Sequence, residues 1–541
     1  MNITRSRGRL AAITIVAGMA AAMIPSATSA APSAAACANR NLNQIDKFVE
    51  CVKAEDALAH MQAFQDIADA NGGTRASATP GYDASANYVA EQLEAVGLEV
   101  ERQEFLAQIY RENSSSLSAS GVAITTQSAS FSGSGAVAGG TIIPVDLDLG
   151  LGNTSSSGCE PTDFHGLDFS GPSDVALIQR GSCSFFQKAL NAELAGAEAM
   201  VLFNQGNTEA RKGIVNATLG GPGVTIPVVS ITYDDGVALI DAPPESIDVA
   251  VDASTFAGPT QNIIAEIPGK NTDNVVMLGA HLDSVIEGPG VQDNGSGSAA
   301  ILAIAEAMAS NKQYVPENTV RFAGWADEEQ GLNGSVENYV NPEVGLLNTP
   351  DEVEKLAASL NVDRSASPNF VYGVYDADES SFTAPVAVPA GSEAIEDLFE
   401  AYYTIEGVPY DDTEYSGRSD YQVFILLDIA SGGLFTGAEQ LKTPEQVEIW
   451  GGVAGEQYDQ CYHLACDTID NVSFEALDTN LGAAAYAAYI LASTTESVNG
   501  VPGVEPKGTT PDDIELDGPQ GSFTGGGGLG HPHHHDDHEE S

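Results

Sequence analysis

Val275-Val276-Met277-Leu278-Gly279-Ala280-His281-Leu282-Asp283 decides how the rest of the chain is read. Its first six residues, Val275 to Ala280, are an unbroken run of apolar and small residues, which marks a strand buried on both faces at the centre of a parallel sheet. An Ala-rich helix follows over about Ala299 to Ser310, then a second apolar strand over Thr319 to Trp325. Further helices are expected at Ala394 to Tyr403 and Asn480 to Ser493. Strands alternating with helices predict an α/β fold with a doubly wound, mixed sheet covered on both faces. In such a sheet, functional residues gather at the carboxyl ends of the strands.

Working outward toward the N-terminus, Asn43 to about Gly97 reads mainly helical, with Leu58, Met61, Phe64 and Ile67 recurring on one face. Two turn-rich patches interrupt it, Asn71-Gly72-Gly73-Thr74-Arg75 and Thr79-Pro80-Gly81-Tyr82, before helical spacing resumes over Ser85 to Ala95. Leu98 to Phe105 has the look of a strand. From about Asn113 to Phe256 the texture changes to Ser, Gly and Thr with short β-type runs at Gly140 to Pro144, Val175 to Gln179, Met200 to Phe203 and Val228 to Ile231. One helix, Phe185 to Ala195, breaks that pattern, so a separate, mostly β module is expected here.

The chain of 541 residues carries 21 Lys and Arg against 76 Asp and Glu, a formal net charge of −55. Such a surface repels nucleic acid and anionic lipid, and suits a soluble extracellular protein. Arg5, Arg7 and Arg9, an apolar stretch from Leu10 to about Ile24 and small residues at Thr28-Ser29-Ala30 form an export signal for the general secretory route, without a twin-arginine pair. No later segment is apolar enough to anchor the chain, so an extracellular or periplasmic location without a membrane anchor is expected, with the protein acting as a monomer. Six cysteines in an exported chain suggest three disulfides. Nearness in the chain favours Cys37–Cys51, Cys159–Cys183 and Cys461–Cys466, although other connectivities are open.

Five of the nine histidines lie in the C-terminal tail, leaving His60, His165, His281 and His463. His281 and Asp283 follow the first apolar strand, and their spacing points both side chains the same way. His281 can ligate a metal through one nitrogen while Asp283 holds the other. Asp293, in Gly290-Val291-Gln292-Asp293-Asn294-Gly295, stands at a strand-to-helix junction where a carboxylate can bridge two cations. Glu328 and Glu329 follow the second strand and point to different sides, so one can bind metal while the other stays free as a general base. Asp363 follows the short apolar strand Leu360-Asn361-Val362, and His463 lies between Cys461 and Cys466, where a disulfide would hold it and Tyr462 in place. His281, Asp293, Glu329, Asp363 and His463 together suit two zinc ions sharing one carboxylate.

In order along the chain, Gly72-Gly73-Thr74-Arg75, Thr79-Pro80-Gly81-Tyr82, His281-x-Asp283, Asp293-Asn294-x-Ser296-Gly297, Glu328-Glu329-x-Gly331-Leu332, Gly417-Arg418-Ser419-Asp420, Gly432-Gly433-Leu434-Phe435-Thr436-Gly437 and Cys461-Tyr462-His463 resemble the M28 family of zinc aminopeptidases. Arg180-Gly181-Ser182-Cys183, Lys188-Ala189-x-Asn191-Ala192 and Ala195-Gly196-Ala197 resemble the protease-associated (PA) domain that this family carries as a non-catalytic insert. The resemblance divides the chain into a signal (1–30), the first part of the peptidase domain (31–118), the PA insert (119–257), the main part of the peptidase domain (258–498) and a disordered, acidic, His-rich tail (499–541).

It further implies that Asp293 bridges two zinc ions, with His281 and Asp363 on one and Glu329 and His463 on the other. Glu328 is then the general base for a zinc-bridging water, Tyr462 an oxyanion donor, and Asp283 and Arg418 supporting or substrate-contacting residues. A cis peptide is implied at Asp293–Asn294. Two departures stand out. Arg364 and Ala366 occupy places where the family commonly has Met and Gly, and Gly482 stands where a calcium-binding acid would accompany Asp478 on the last helix. Calcium is therefore not expected there. The expected substrate is a peptide or protein with a free N-terminus and a large apolar first residue such as Leu. Its rivals are a carboxypeptidase on the same scaffold, for which Arg418 and Arg364 would serve, a one-zinc glutaminyl cyclase, and a non-catalytic zinc-binding or receptor-like protein. The tail histidines His531, His533, His534, His535 and His538 raise the further idea of a zinc scavenger, against a merely solvated or processed tail.

Overall fold

The computed structural model describes residues 32–524 apart from 209–210, 342–344 and 385. The expected export signal and the His-rich end of the tail lie outside the described residues. At the centre is the strand Asn271–His281, hydrogen-bonded in parallel to Asn318–Trp325 on one side and Leu356–Val362 on the other. Ser431–Phe435 continues the parallel set, Gly373–Tyr375 joins it antiparallel, and Ile247–Ile267 runs antiparallel on the far side of Asn318–Trp325. The sheet is mixed, as expected.

The apolar run has a plain physical reason. Val276, Leu278 and Ala280 pack into the large core with the helices Ala54–Ala70, Gly295–Ser310 and Phe474–Ser493. Val275 and Met277 point the other way, against Trp325, Phe424 and Ile429. Where both faces are covered by apolar groups, from Val275 to Ala280, a polar side chain would be left without a partner.

The helix expected from Ser85 begins earlier, at Pro80. Thr79 accepts a hydrogen bond from the Tyr82 amide, Pro80 occupies the first turn, and Tyr82 is buried. The Thr-Pro-Gly sequence that reads as a turn is thus a helix start. The strand expected over Leu98 to Phe105 extends as Val100–Ala119 and pairs with Ile247–Ile267 from Val100↔Ala265 to Ala119↔Ile247. This ribbon runs through both ends of the insert. Within the insert, Gly135–Val145, Asp174–Gln179, Ala199–Phe203 and Val228–Ile231 form successive parallel pairs. The helix Phe185–Ala195 lies where expected, and a second one, Tyr233–Asp241, was not foreseen. The Thr232 hydroxyl accepts from the Asp235 amide and caps that helix's first turn. Gly236 sits so close to the Phe203 ring that a Cβ there would lie 2.3 Å from it.

Residues 499–524, expected to be disordered, instead run along the main unit. Lys507 accepts a hydrogen bond from the Ile45 amide, and Ser522–Phe523 adds a parallel strand beside Asp411–Thr413. Phe523 is buried, its ring 5.9 Å from that of Phe435 and 5.3 Å from that of Tyr458. A Pro-, Gly- and acid-rich composition conceals this because one aromatic anchor and a few backbone bonds hold the strap. Gly482 also has a packing reason, since a Cβ there would lie 1.9 Å from the Tyr402 hydroxyl. Phe523→Ala is expected to lower stability by about 3 kcal/mol, read from the denaturation midpoint, where a disordered segment would give no change.

Candidate metal centre

Four side chains of the centre stand in the loops that follow three adjacent parallel strands. His281 ends the central strand, Glu328 and Glu329 come three and four residues after Trp325, and Asp363 directly follows Val362. Asp293 lies in the loop before the helix Gly295–Ser310, and its peptide bond to Asn294 is cis. His463 comes from a loop outside the sheet, closed by the Cys461–Cys466 disulfide. The other pairings, Cys37–Cys51 and Cys159–Cys183, are also present.

The geometry converges on Asp293. His281 Nε2 lies 3.3 Å from Asp293 Oδ1 and 3.4 Å from Asp363 Oδ1. His463 Nε2 lies 3.4 Å from Asp293 Oδ2 and 2.9 Å from Glu329 Oε2. Three groups of side chains able to hold a metal result: His281–Asp293–Asp363 and Asp293–Glu329–His463, which share Asp293, and His281–Glu328–Glu329. Glu328 stands beside them, its Oε2 3.9 Å from His281 Nε2. Asp363 Oδ1 and Glu329 Oε1 are buried without a hydrogen-bond partner, as metal-facing oxygens would be.

Supporting residues explain why the loops hold this shape. Asp283 was expected to grip the second nitrogen of His281. Its backbone carbonyl does so at 3.1 Å, whereas its carboxylate lies 3.7 Å away and instead accepts from the Glu328 amide at 3.1 Å and the Glu329 amide at 3.4 Å. Ser419 donates to Asp363 Oδ2 at 2.6 Å, giving the Gly417–Asp420 motif a local purpose. Asp467 was not foreseen: it accepts from the amides of Gln292 and Asp293 at 2.9 and 3.0 Å, so it sets the bridging residue's backbone. Its only sequence signal was its place directly after Cys466. Arg75 is fully buried and donates to the carbonyls of Leu282, Pro289 and Gly290, at 2.5, 2.8 and 2.5 Å, binding together the loop from His281 to Asp293.

Arg364 reaches into the centre. Its guanidinium lies between the rings of Phe435 and Tyr462, 4.9 Å from each, with Nη1 3.6 Å from Asp293 Oδ2. Tyr462 stacks on His463 with ring centroids 3.8 Å apart, and its hydroxyl accepts from Arg418 Nη2 at 2.8 Å. Arg364 and Arg418 line a small pocket with Tyr375, Ser416, Ser419 and Phe435. The insert ribbon reaches the site as well, for the Tyr110 amide donates to Gln330 Oε1 at 3.0 Å, in the loop bearing Glu328 and Glu329.

The electrostatics are those of crowded carboxylates. Burial pushes Asp293 up, but Arg364, His281 and His463 outweigh it and hold Asp293 well below the usual carboxylate range. Burial pushes Glu328 well above that range, with Glu329, Asp420 and Asp363 adding to the rise against the pull of His281. Burial alone would lower His281 and His463, yet the surrounding carboxylates raise both well above the ordinary histidine value. Two imidazoles and several carboxylates so arranged form a centre suited to divalent metal ions.

A buried histidine–carboxylate centre at the carboxyl ends of a mixed α/β sheet places the protein among metal-dependent enzymes. Comparison with known proteins specifies which. The model of peptidase family M28 matches residues 262–488 and that of the PA domain residues 140–239. An aminopeptidase of Pseudomonas aeruginosa is 44% identical over 458 residues, 83% of each chain. A probable leucine aminopeptidase 2 of Aspergillus oryzae is 36% identical over 85% of this chain and 89% of its own. Among solved structures, a zinc aminopeptidase from Bacillus subtilis superposes with a TM-score of 0.55 at 25% identity, over 85% of this chain and 99% of its own. The chain belongs to peptidase family M28, carries a PA domain inserted in the peptidase fold, and is an enzyme.

Arg75→Met would leave the Leu282 and Pro289 carbonyls without donors and Gly290 with only the Gly295 amide. A loss of about 3 kcal/mol in unfolding free energy is expected, measured by denaturant titration.

Proposed function

We propose that this enzyme is a secreted di-zinc aminopeptidase, which removes the first residue of peptides with a free N-terminus and prefers large apolar residues such as leucine. The observation that carries the two-ion reading is Asp293, whose two oxygens face two separate ligand sets. His281 and Asp363 would complete one ion's ligands, Glu329 and His463 the other's. Imidazole and carboxylate donors without a thiolate suit zinc, and the Bacillus subtilis neighbour is a zinc enzyme. The names of the relatives support the amino end and leucine.

Zinc bound here would polarise the scissile carbonyl and make a nucleophile available at neutral pH. Glu328, outside both ligand sets that contain Asp293, takes the proton from the attacking water and passes it to the leaving amine. Burial among carboxylates gives it the basicity for that task. The Tyr462 hydroxyl, held by Arg418, is free to donate its proton toward the developing oxyanion. Glu328 and Asp363 offer charge to the substrate's free amine. The PA insert, whose connecting strand meets the Glu328 loop at Tyr110, guides or restricts what enters. Export is supported by three disulfides and by the Arg-rich, apolar N-terminus, and among the described residues no helix is long and apolar enough to cross a membrane.

One observation favours a carboxypeptidase instead: Arg364 and Arg418 border the site and could grip a terminal carboxylate. Dipeptides blocked at one end decide between the two. Cleavage of carboxyl-blocked dipeptides alone is expected, and cleavage of amino-blocked ones alone would reverse the assignment. Glu328→Ala is expected to retain about two zinc ions per chain by metal analysis while kcat falls on the order of a thousandfold. Unchanged turnover would remove Glu328 as the base. Dialysis against a strong chelator should abolish leucyl-anilide hydrolysis, and adding back zinc should restore it.

A further inference from the structure

We propose that a second metal site, for a hard divalent cation such as calcium, is formed by Asp376, Asp378, Glu396, Glu400 and Asp412, remote in sequence from the last-helix acids considered above. Two groups of ligand atoms, Asp376–Asp378–Glu396 and Glu396–Glu400–Asp412, each lie within 4.8 Å of one another and share Glu396. Three separate segments supply them: the loop after the strand Gly373–Tyr375, the helix Ser392–Glu406 and the strand Asp411–Thr413.

Carboxylates often cluster on acidic proteins without binding anything, but on the surface. Here Asp376, Glu396 and Asp412 are buried, at 2%, 4% and 0% exposure. No Lys, Arg or His forms an ion pair with any of the five among the described residues. Asp412 carries the decisive observation. It is wholly buried, and while its Oδ2 accepts from the hydroxyls of Ser381 and, at 3.2 Å, Ser380, its Oδ1 has no hydrogen-bond partner. A buried, unpartnered carboxylate oxygen among other carboxylates is costly unless a cation meets it. The acids raise one another accordingly. Burial, then Asp378 and Glu400, push Glu396 up to about 9; burial, with Asp412 and Asp397, brings Glu400 to about 7.

The ligand chemistry selects the ion. All the donors are oxygens, with neither imidazole nor thiolate, which favours calcium over zinc. Amides already fix the ligands' backbone: Asp376 accepts from Ser380, Ser381 and Phe382 at 2.9, 3.0 and 2.6 Å, and Glu396 accepts from Ala377 and Asp378 at 3.0 Å each. A bound ion would fasten the loop that begins just after Tyr375, a wall of the pocket beside Arg364, to the strand that carries Phe523's strap.

The test uses full-length, zinc-loaded enzyme, stripped of calcium on a chelating resin and returned to zinc-containing buffer. Calcium chloride is expected to raise the thermal midpoint saturably, by about 5 °C at a hundred times the dissociation constant, with one calcium retained per chain by metal analysis. Sodium chloride at matched ionic strength should not do so. Glu396→Gln and Asp412→Asn should abolish the response to calcium, and Asp412→Asn should also raise the calcium-free midpoint by removing a buried charge. Asp378→Asn, on an exposed residue, should fold normally and weaken calcium affinity about tenfold. No saturable rise, no retained calcium, an equal rise with sodium, or an unaltered calcium response in Asp378→Asn would each overturn the assignment. If either buried variant fails to fold, the wild-type calcium content and Asp378→Asn still decide.

Discussion

Asp293, Glu328, Glu329 and Asp363 are buried beside two histidines, and the peptidase unit is organised around containing that charge. A buried, unpaired carboxylate costs several kcal/mol, so each must be met by a proton, a donor or a cation. Part of the answer is visible in the chain itself: Arg364 between two rings, His281 and His463 set against the carboxylates, and Ser419 donating to Asp363. The orphaned oxygens of Asp363 and Glu329 mark what the chain leaves for metal ions to satisfy.

The parallel sheet makes this crowding possible. Adjacent parallel strands end at the same edge, so the loops after His281, Trp325 and Val362 arrive together without any loop having to travel. Loops are ordinarily the mobile part of a fold, and these are tied down. Arg75 binds the loop from His281 to Asp293 through three carbonyls, and Asp283 and Asp467 bind it to its neighbours through amides. His463 has no strand to position it, and the disulfide around it takes that part.

The PA insert is not simply appended. Its two connecting strands pair along nearly their whole length, joining the insert's sheet to the main sheet. Through Tyr110 the same ribbon meets the loop of Glu328 and Glu329.

Much of this was legible in the sequence. Both central strands and the Ala-rich helix could be read because burial on two faces forces an apolar run; His281, Glu328, Glu329 and Asp363 stood out as candidates at or just past the ends of such runs, Asp293 at a helix start and His463 inside a short cysteine loop. The disulfides could be read from nearness in the chain. Asp467, the capping use of Asp283 and the intrusion of Arg364 could not, since each depends on segments far apart in sequence. The strap of residues 499–524 was misread because composition reports average polarity, not the one aromatic residue that finds a pocket. The acidic cluster around Asp412 was invisible for a related reason: in a chain this rich in acids, only tertiary packing separates those that meet in the interior from those that face water. The amino-acid sequence by itself determined the periodicities, and with them the central sheet and the identity of the candidate ligands. Only the tertiary structure decided which carboxylates share a space, because like charges converge only where packing elsewhere compels them.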